Sequence, residues 1–171
     1  MAQVMTRKKE KPDYRWLSEK ESEIWRKVVA ATMLTAPLLE ADLQKAGSLS
    51  FFEFQVLSSL KDADGELTMS QLAERCNCSL SRLSHVARKL EERGAIDRSQ
   101  ATNDKRVTMA LLTEQGKSEV TRVEGRYAES IRRRVLDSLT PEGMDAMETL
   151  AEALLANIDP SHWLIAEDDE Y

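Results

Sequence analysis

The sequence predicts a mainly α-helical protein with a small β-hairpin wing, a winged helix-turn-helix joined to further long helices. Three observations carry this. The stretch from Leu67 to Gly116 reads as two short helices, a turn and a two-stranded hairpin. The second of those helices has an apolar stripe on one side and a polar, cationic face on the other. Long apolar-periodic segments with helix-start signals flank the stretch on both sides.

Residues 1–17 are polar and basic, with Arg7, Lys8, Lys9, Lys11 and Arg15, and are expected to be a flexible basic tail. Residues 18–171 are expected to form one domain, with a winged module over 50–112 and helices over 18–46 and 113–165. Ser18 with Glu21 is a capping-box pattern that opens the first long helix. Ile24, Val28, Ala31, Leu38 and Leu43 form its apolar stripe. Pro37 should kink or split it, because proline removes one backbone hydrogen bond. Gly47 ends it.

Ser50 and Glu53 repeat the capping box, and Phe51, Phe54, Val56, Leu57 and Leu60 follow as an apolar helix. Asp62-Ala63-Asp64-Gly65 is a turn. Thr68 with Gln71 opens the first helix of the winged module, which ends near Cys76-Asn77. Ser79 caps the second, which runs to about Arg93 with Leu83, Val86, Ala87 and Leu90 as its buried stripe. Gly94 stops it. Two extended runs, Ala95–Ser99 and Arg106–Leu112, surround a polar tip over Gln100–Lys105. Thr113 starts a helix expected to run from Glu114 to Leu139. Thr140-Pro141 starts the last, with Pro at the first helical position. Residues 166–171 are an acidic tail.

Ser81, Arg82, His85, Arg88 and Lys89 share the outer face of the second module helix. These residue types reach base edges and phosphates in a major groove. At the hairpin tip Asp104 and Arg106 are two apart, so both can point the same way from an extended strand. An Asp that holds an Arg fork in place suits a narrow minor groove. Ser79, Ser84, Arg98 and Lys105 complete the candidate DNA-binding set.

The same residues resemble the multiple-antibiotic-resistance regulator (MarR) family. The matching positions are Leu72-Ala73, Ser79 to Leu90, Glu92-Arg93-Gly94, Asp104-Lys105-Arg106, and Leu112-Thr113 with Gly116. Weaker similarity extends over about Trp25 to Leu155. The sequence departs from the family pattern at His85 and at Thr102-Asn103. The resemblance implies a transcriptional regulator, a homodimer, and a ligand pocket between the dimer helices and the winged module. Trp25, Met33, Phe54 and Met109 are the candidate lining for a small aromatic or apolar effector.

Composition is compatible with this class. At 42% hydrophobic and 32% charged, the 171 residues can build a core and stay soluble. No apolar run is long enough to span a bilayer, and the start lacks the apolar segment of a secretory signal, so a cytoplasmic location is expected. The net charge of −6 is unevenly spread. From Leu67 to Leu112 eight basic residues face five acidic ones, giving +3 there and −9 elsewhere. Apolar residues near both ends, including Trp16, Leu17, Ile24, Leu136, Met147, Leu150, Leu154 and Trp163, exceed what one small winged domain covers. They point to a two-fold dimer.

Cys76 and Cys78 are spaced C-x-C, and the only histidines are His85 and His162, too few ligands for a metal site. The cysteines read as packing residues of the turn. A thiol switch through either is the alternative mechanism, and a winged-helix protein-interaction module without DNA binding is the alternative class. No Ser/His/Asp or Cys/His arrangement or glycine-rich phosphate loop supports an enzyme, and no cofactor is implied.

Overall fold

A computed structural model of the chain describes residues 14–47 and 49–165. The basic residues Arg7 to Lys11 and the acidic tail 166–171 lie outside the described residues. Among the described residues six α-helices and three strands follow in the order α1 (Glu19–Gly47), α2 (Phe51–Asp62), β1 (Glu66–Thr68), α3 (Met69–Arg75), α4 (Leu80–Glu92), β2 (Ile96–Gln100), β3 (Thr108–Leu112), α5 (Glu114–Arg134) and α6 (Pro141–Ile158). By its internal contacts the chain divides into two units, residues 1–34 and 35–171.

In the first unit the described chain is mostly the N-terminal half of α1. Ser18 and Glu21 form the expected box: the Glu21 carboxylate accepts the Ser18 N–H at 2.7 Å, and Ser18 Oγ accepts the Glu21 N–H at 3.3 Å. Trp16, Ile24, Trp25 and Met33 are all exposed. α1 continues through Pro37 without being split. Of the expected stripe Leu43 is buried, and Leu39 is buried in place of Leu38.

The second unit holds the core. Leu43 and Leu49 join Phe54, Val56, Leu57 and Leu60 of α2, Leu72 of α3, Leu83, Ala87 and Leu90 of α4, Ile96 of β2, Ala110 of β3, and Val120 and Val123 of α5. Each helix start supplies its own acceptor for an orphan N–H. Ser50 and Thr68 make full capping boxes with Glu53 and Gln71. Ser79, Thr113 and Thr140 accept from the N–H groups of Arg82, Gly116 and Gly143.

The sheet is antiparallel with order β1-β3-β2. The expected hairpin is β2-β3, with Ile96 opposite Leu112 and Arg98 opposite Ala110. A third strand, β1, adds to its other edge with Leu67 opposite Ala110. Gly94, at φ +73°, turns the chain out of α4 into β2. Gly116 is buried where α5 begins: a Cβ there would lie 2.0 Å from the Ala95 carbonyl oxygen, so only glycine permits this approach. α5 ends at Arg134 rather than reaching Leu139. Val135 leaves helical dihedrals, and a 3-10 turn over Leu136–Ser138 leads to the Thr140 cap.

Candidate nucleic-acid interface

α4 is seated by Leu83, Ala87 and Leu90, each fully buried, at the i, i+4 and i+7 spacing of one helical stripe. That seating fixes what faces out. Ser81, Arg82, Ser84, His85, Arg88 and Lys89 are exposed. Ser79 is occupied as the N-cap, its hydroxyl accepting the Arg82 N–H at 3.3 Å.

Two contacts order this face. The Arg82 guanidinium lies over the Phe52 ring of α2, 4.4 Å from its centroid. The ring attracts the cation and limits its rotamers, leaving the N–H fork at its edges free to donate. Arg88 Nη2 donates to His85 Nδ1 at 3.3 Å, so the His85 proton resides on Nε2 and points away as a donor.

The far end of α4 is pinned on two sides. Arg93 bridges Glu53 of α2 at 3.2 Å and Glu119 of α5 at 2.7 Å, and Gln115 donates to its carbonyl at 2.6 Å. Arg98 on β2 is held by Glu91 of α4, Nη2 to Oε2 at 2.5 Å and Nε at 3.0 Å. This draws Glu91 below the usual carboxylate range. Arg98 therefore braces the wing against α4.

At the wing tip Asp104 and Arg106 meet, but not on a strand as the sequence suggested. They lie in the turn before β3. Asp104 Oδ1 accepts the Arg106 backbone N–H at 2.9 Å, which closes an Asx turn. The two carboxylate oxygens then take the Arg106 fork, Nε at 3.1 Å and Nη2 at 2.8 Å. The Arg106 side chain makes the largest contribution to holding Asp104 below its ordinary range, and the backbone N–H adds to it. Arg106 stays 91% exposed while fixed in direction. Lys105 is exposed beside it.

The candidate effector lining is placed as follows. Phe54 is 4% exposed, with its ring 4.4 Å from that of Tyr127, and packs in the core. Met109 is half-buried on β3 and lines a groove of the wing with Ser99, Val107 and Leu111; Phe54 is not part of that groove. Trp25 and Met33 are exposed on α1. A separate open cavity of about 300 Å³ between the C-terminal half of α1 and α5 is charged, lined by Asp42, Lys45, Arg126, Glu129, Ser130 and Arg133. Burial pushes the Cys76 thiol up to about 11, and its sulfur lies 3.8 Å from Ser59 Oγ. Cys78 is half-buried and also raised by burial.

Sequence reasoning missed the Phe52 platform, the double bridge of Arg93, and the burial of His162. Two aromatics at the start of α2 and an Arg before Gly94 were visible, but nothing local gives their partners.

Helices α2, α3 and α4 packed into a shared core, a three-stranded wing and an outward polar helix face define a winged helix-turn-helix protein. The model of the MarR family matches residues 49–108, from the residue before the Ser50 cap of α2 to the first residue of β3. Sco3205, a MarR family transcriptional regulator from Streptomyces coelicolor solved in complex with DNA, is 28% identical, with 90% of this chain and 99% of that one covered at a TM-score of 0.83. AbsC, a MarR family transcriptional regulator from the same organism, is 29% identical over 86% and 99%, TM-score 0.81. Bordetella bronchiseptica BpsR, solved to explain regulation of its DNA binding by 6-hydroxynicotinic acid, shares the fold at 19% identity over 77% and 98%, TM-score 0.67. Over residues 49–108 the chain matches the MarR family of transcriptional regulators, and over most of its length it is similar to two solved regulators of that family.

Proposed function

We propose that this regulator binds double-stranded DNA sequence-specifically as a homodimer on an inverted repeat, and that it is a repressor released by a small-molecule effector. The observation that carries the reading is the exposed face of α4 beside the buttressed Arg106. Arg82 and His85 read base edges in the major groove. Ser81, Ser84, Arg88, Lys89 and Lys105 add base or phosphate contacts. Arg106, aimed by Asp104, enters the adjacent minor groove and reads its width and potential.

The homodimer is supported by the exposed apolar face of α6, where Met144, Met147, Leu150 and Leu154 are each over 40% exposed. Helices over 18–46 and 113–165 form the dimer region in this reading. Two copies of α4 then face successive major grooves about one DNA turn apart. Release by an effector is supported by the likeness to BpsR, whose DNA binding is regulated by 6-hydroxynicotinic acid. It works by favouring a spacing of the two α4 helices that no longer matches DNA. The thiol-switch alternative is disfavoured by Cys76, whose burial keeps it a protonated thiol.

The test is a titration of a labelled operator at several salt concentrations. Arg82→Ala and His85→Ala should relax sequence preference as well as affinity, by about 1–3 kcal/mol for a bidentate contact. Arg106→Ala should weaken binding to every sequence and flatten the salt slope by about one phosphate equivalent. Asp104→Ala should do part of that damage although it removes a negative charge beside DNA. Tighter binding by Asp104→Ala would refute the buttress role.

A further inference from the structure

His162 is one of only two buried polar or charged residues among those described, 4% exposed, and neither the α4 face nor the α6 apolar face accounts for it. The chain leaves α6 through a tightly bonded segment. Asp159 Oδ1 accepts both the N–H and the hydroxyl of Ser161, at 3.2 and 2.9 Å. The Asp159 carbonyl accepts the His162 N–H at 3.0 Å, and the His162 carbonyl accepts that of Ile165 at 2.9 Å. Pro160 removes further freedom.

These bonds aim the imidazole. Its Nδ1 accepts the Leu164 N–H at 3.3 Å, so the ring proton sits on Nε2. Nε2 donates to Asn77 Oδ1 at 2.8 Å, across 85 residues of sequence. Asn77 is the turn residue between α3 and α4, held at φ +50°, two positions before the Ser79 cap of the recognition helix. Beside it, the Trp163 ring takes the Arg75 guanidinium of α3 at 5.2 Å from its centroid. Two neighbouring side chains from the end of α6 thus grip two side chains of the helix-turn-helix, and one of the gripped residues has a left-handed backbone that costs energy for a non-glycine residue.

We infer that His162 is a positioning residue for DNA recognition: residues 159–165 form a strap that ties α6 to the α3–α4 turn and sets the angle of α4. The inference rests on the reading of the chain as a dimeric DNA-binding protein and deepens it. α6 carries the apolar face assigned to the second copy, and the strap passes its orientation to the recognition helix of the same chain, independently of the route through α5. Any change in how two copies sit then reaches α4 as a rigid displacement, which matters where two α4 helices must match one fixed spacing.

The strap is tested in the full chain with three variants. His162→Phe keeps the bulk and removes the donor. His162→Gln keeps a donor near the Nε2 position. Asn77→Gly removes the acceptor and tolerates the positive φ. Amide exchange of Asn77 and Cys78 reads the strap without DNA: it should quicken in His162→Phe and Asn77→Gly and stay near wild type in His162→Gln. On DNA, His162→Phe should remain a dimer and hold a single half-site as wild type does. It should bind the full inverted repeat roughly tenfold more weakly, the size of one net hydrogen bond, and discriminate less when the spacing changes by one base pair. Unchanged exchange, unchanged spacing preference, or equal losses on half-site and full repeat would overturn the inference. A wild type that selects no DNA while exchange responds as expected would instead refute the DNA-binding reading and leave the strap standing.

Discussion

The winged module and α6 are built from the same local signals and packed in opposite ways. In the module, each helix begins at a Ser or Thr cap and then buries its apolar stripe: Leu57, Leu60, Leu72, Leu83 and Leu90 are fully buried. α6 begins equally well, with Thr140 accepting the Gly143 N–H at 3.2 Å and Pro141 at its first position. Yet no residue of α6 is buried, and Met144, Met147, Leu150 and Leu154 stay 41–48% exposed. Capping is set by residues three apart and takes no account of what the helix packs against. Burial needs a partner, and α6 displays an apolar face that its own chain leaves uncovered among the described residues. Most of a protein helix's stability comes from packing its apolar face, and in the proposed dimer a second copy supplies that packing for α6.

The module should break most sharply at Gly116. Gly116→Ala drives a Cβ into the Ala95 carbonyl, backbone against backbone, and should cost about 3 kcal/mol or more. Denaturant titration of the purified variant measures it; an unchanged midpoint would mean that α5 and β2 can separate freely.

A matched pair of leucine truncations sharpens the contrast. Leu83→Ala should cost about 3 kcal/mol whatever the protein concentration, because its cavity lies inside one chain. Leu150→Ala should have an effect on melting that changes with dilution, because in the proposed dimer the contact it removes lies between copies. Concentration-independent melting of wild type and Leu150→Ala alike would place the α6 face inside a monomer.

Smaller effects are expected at the cysteines. The Cys76→Ala, Cys78→Ala double variant should lose about 1 kcal/mol through small cavities and bind DNA normally. Peroxide should alter wild-type binding no more than the variant's. A peroxide effect confined to the wild type would favour the thiol switch.

The smallest is an acid effect at Asp42. Its carboxylate accepts from Ser130 Oγ at 2.5 Å and from Arg134 at 2.8 and 3.0 Å, with Arg133 at 3.2 Å, and is held at about 2 against an ordinary 3.8. Because the folded value is the lower one, its stabilisation is complete above about pH 4 and is lost as pH falls towards 2. Asp42→Asn should therefore flatten the acid limb of a stability profile between those values. An identical limb would mean that the cluster adds nothing to folding.

What was legible in the sequence was what lies close along it. Ser18–Glu21, Ser50–Glu53 and Thr68–Gln71 announced three helices, and the alternation of Leu83, Ala87 and Leu90 with Arg82, His85 and Arg88 gave the orientation of α4 before any fold was known. The failures are long-range or very short. β1 has three residues, too few for a strand period, and is defined only by pairing with β3. The Asp104–Arg106 pair was found for a reason that does not hold, since a turn and not a strand brings the two together. The Arg82–Phe52 stack joins residues 30 apart, and the His162–Asn77 bond joins residues 85 apart, so neither has a local signature. Pro37 lies within α1, where the sequence suggested a possible split, and α1 runs on as one helix.

The central claim is that two copies of α4, joined through the face that α6 leaves open, read DNA symmetrically. Selection of duplexes from a random pool by the purified full-length protein tests it most directly. Enrichment of an inverted repeat with half-sites about ten base pairs apart, centre to centre, is expected. Enrichment of a single asymmetric site, or of no sequence at all, would contradict it.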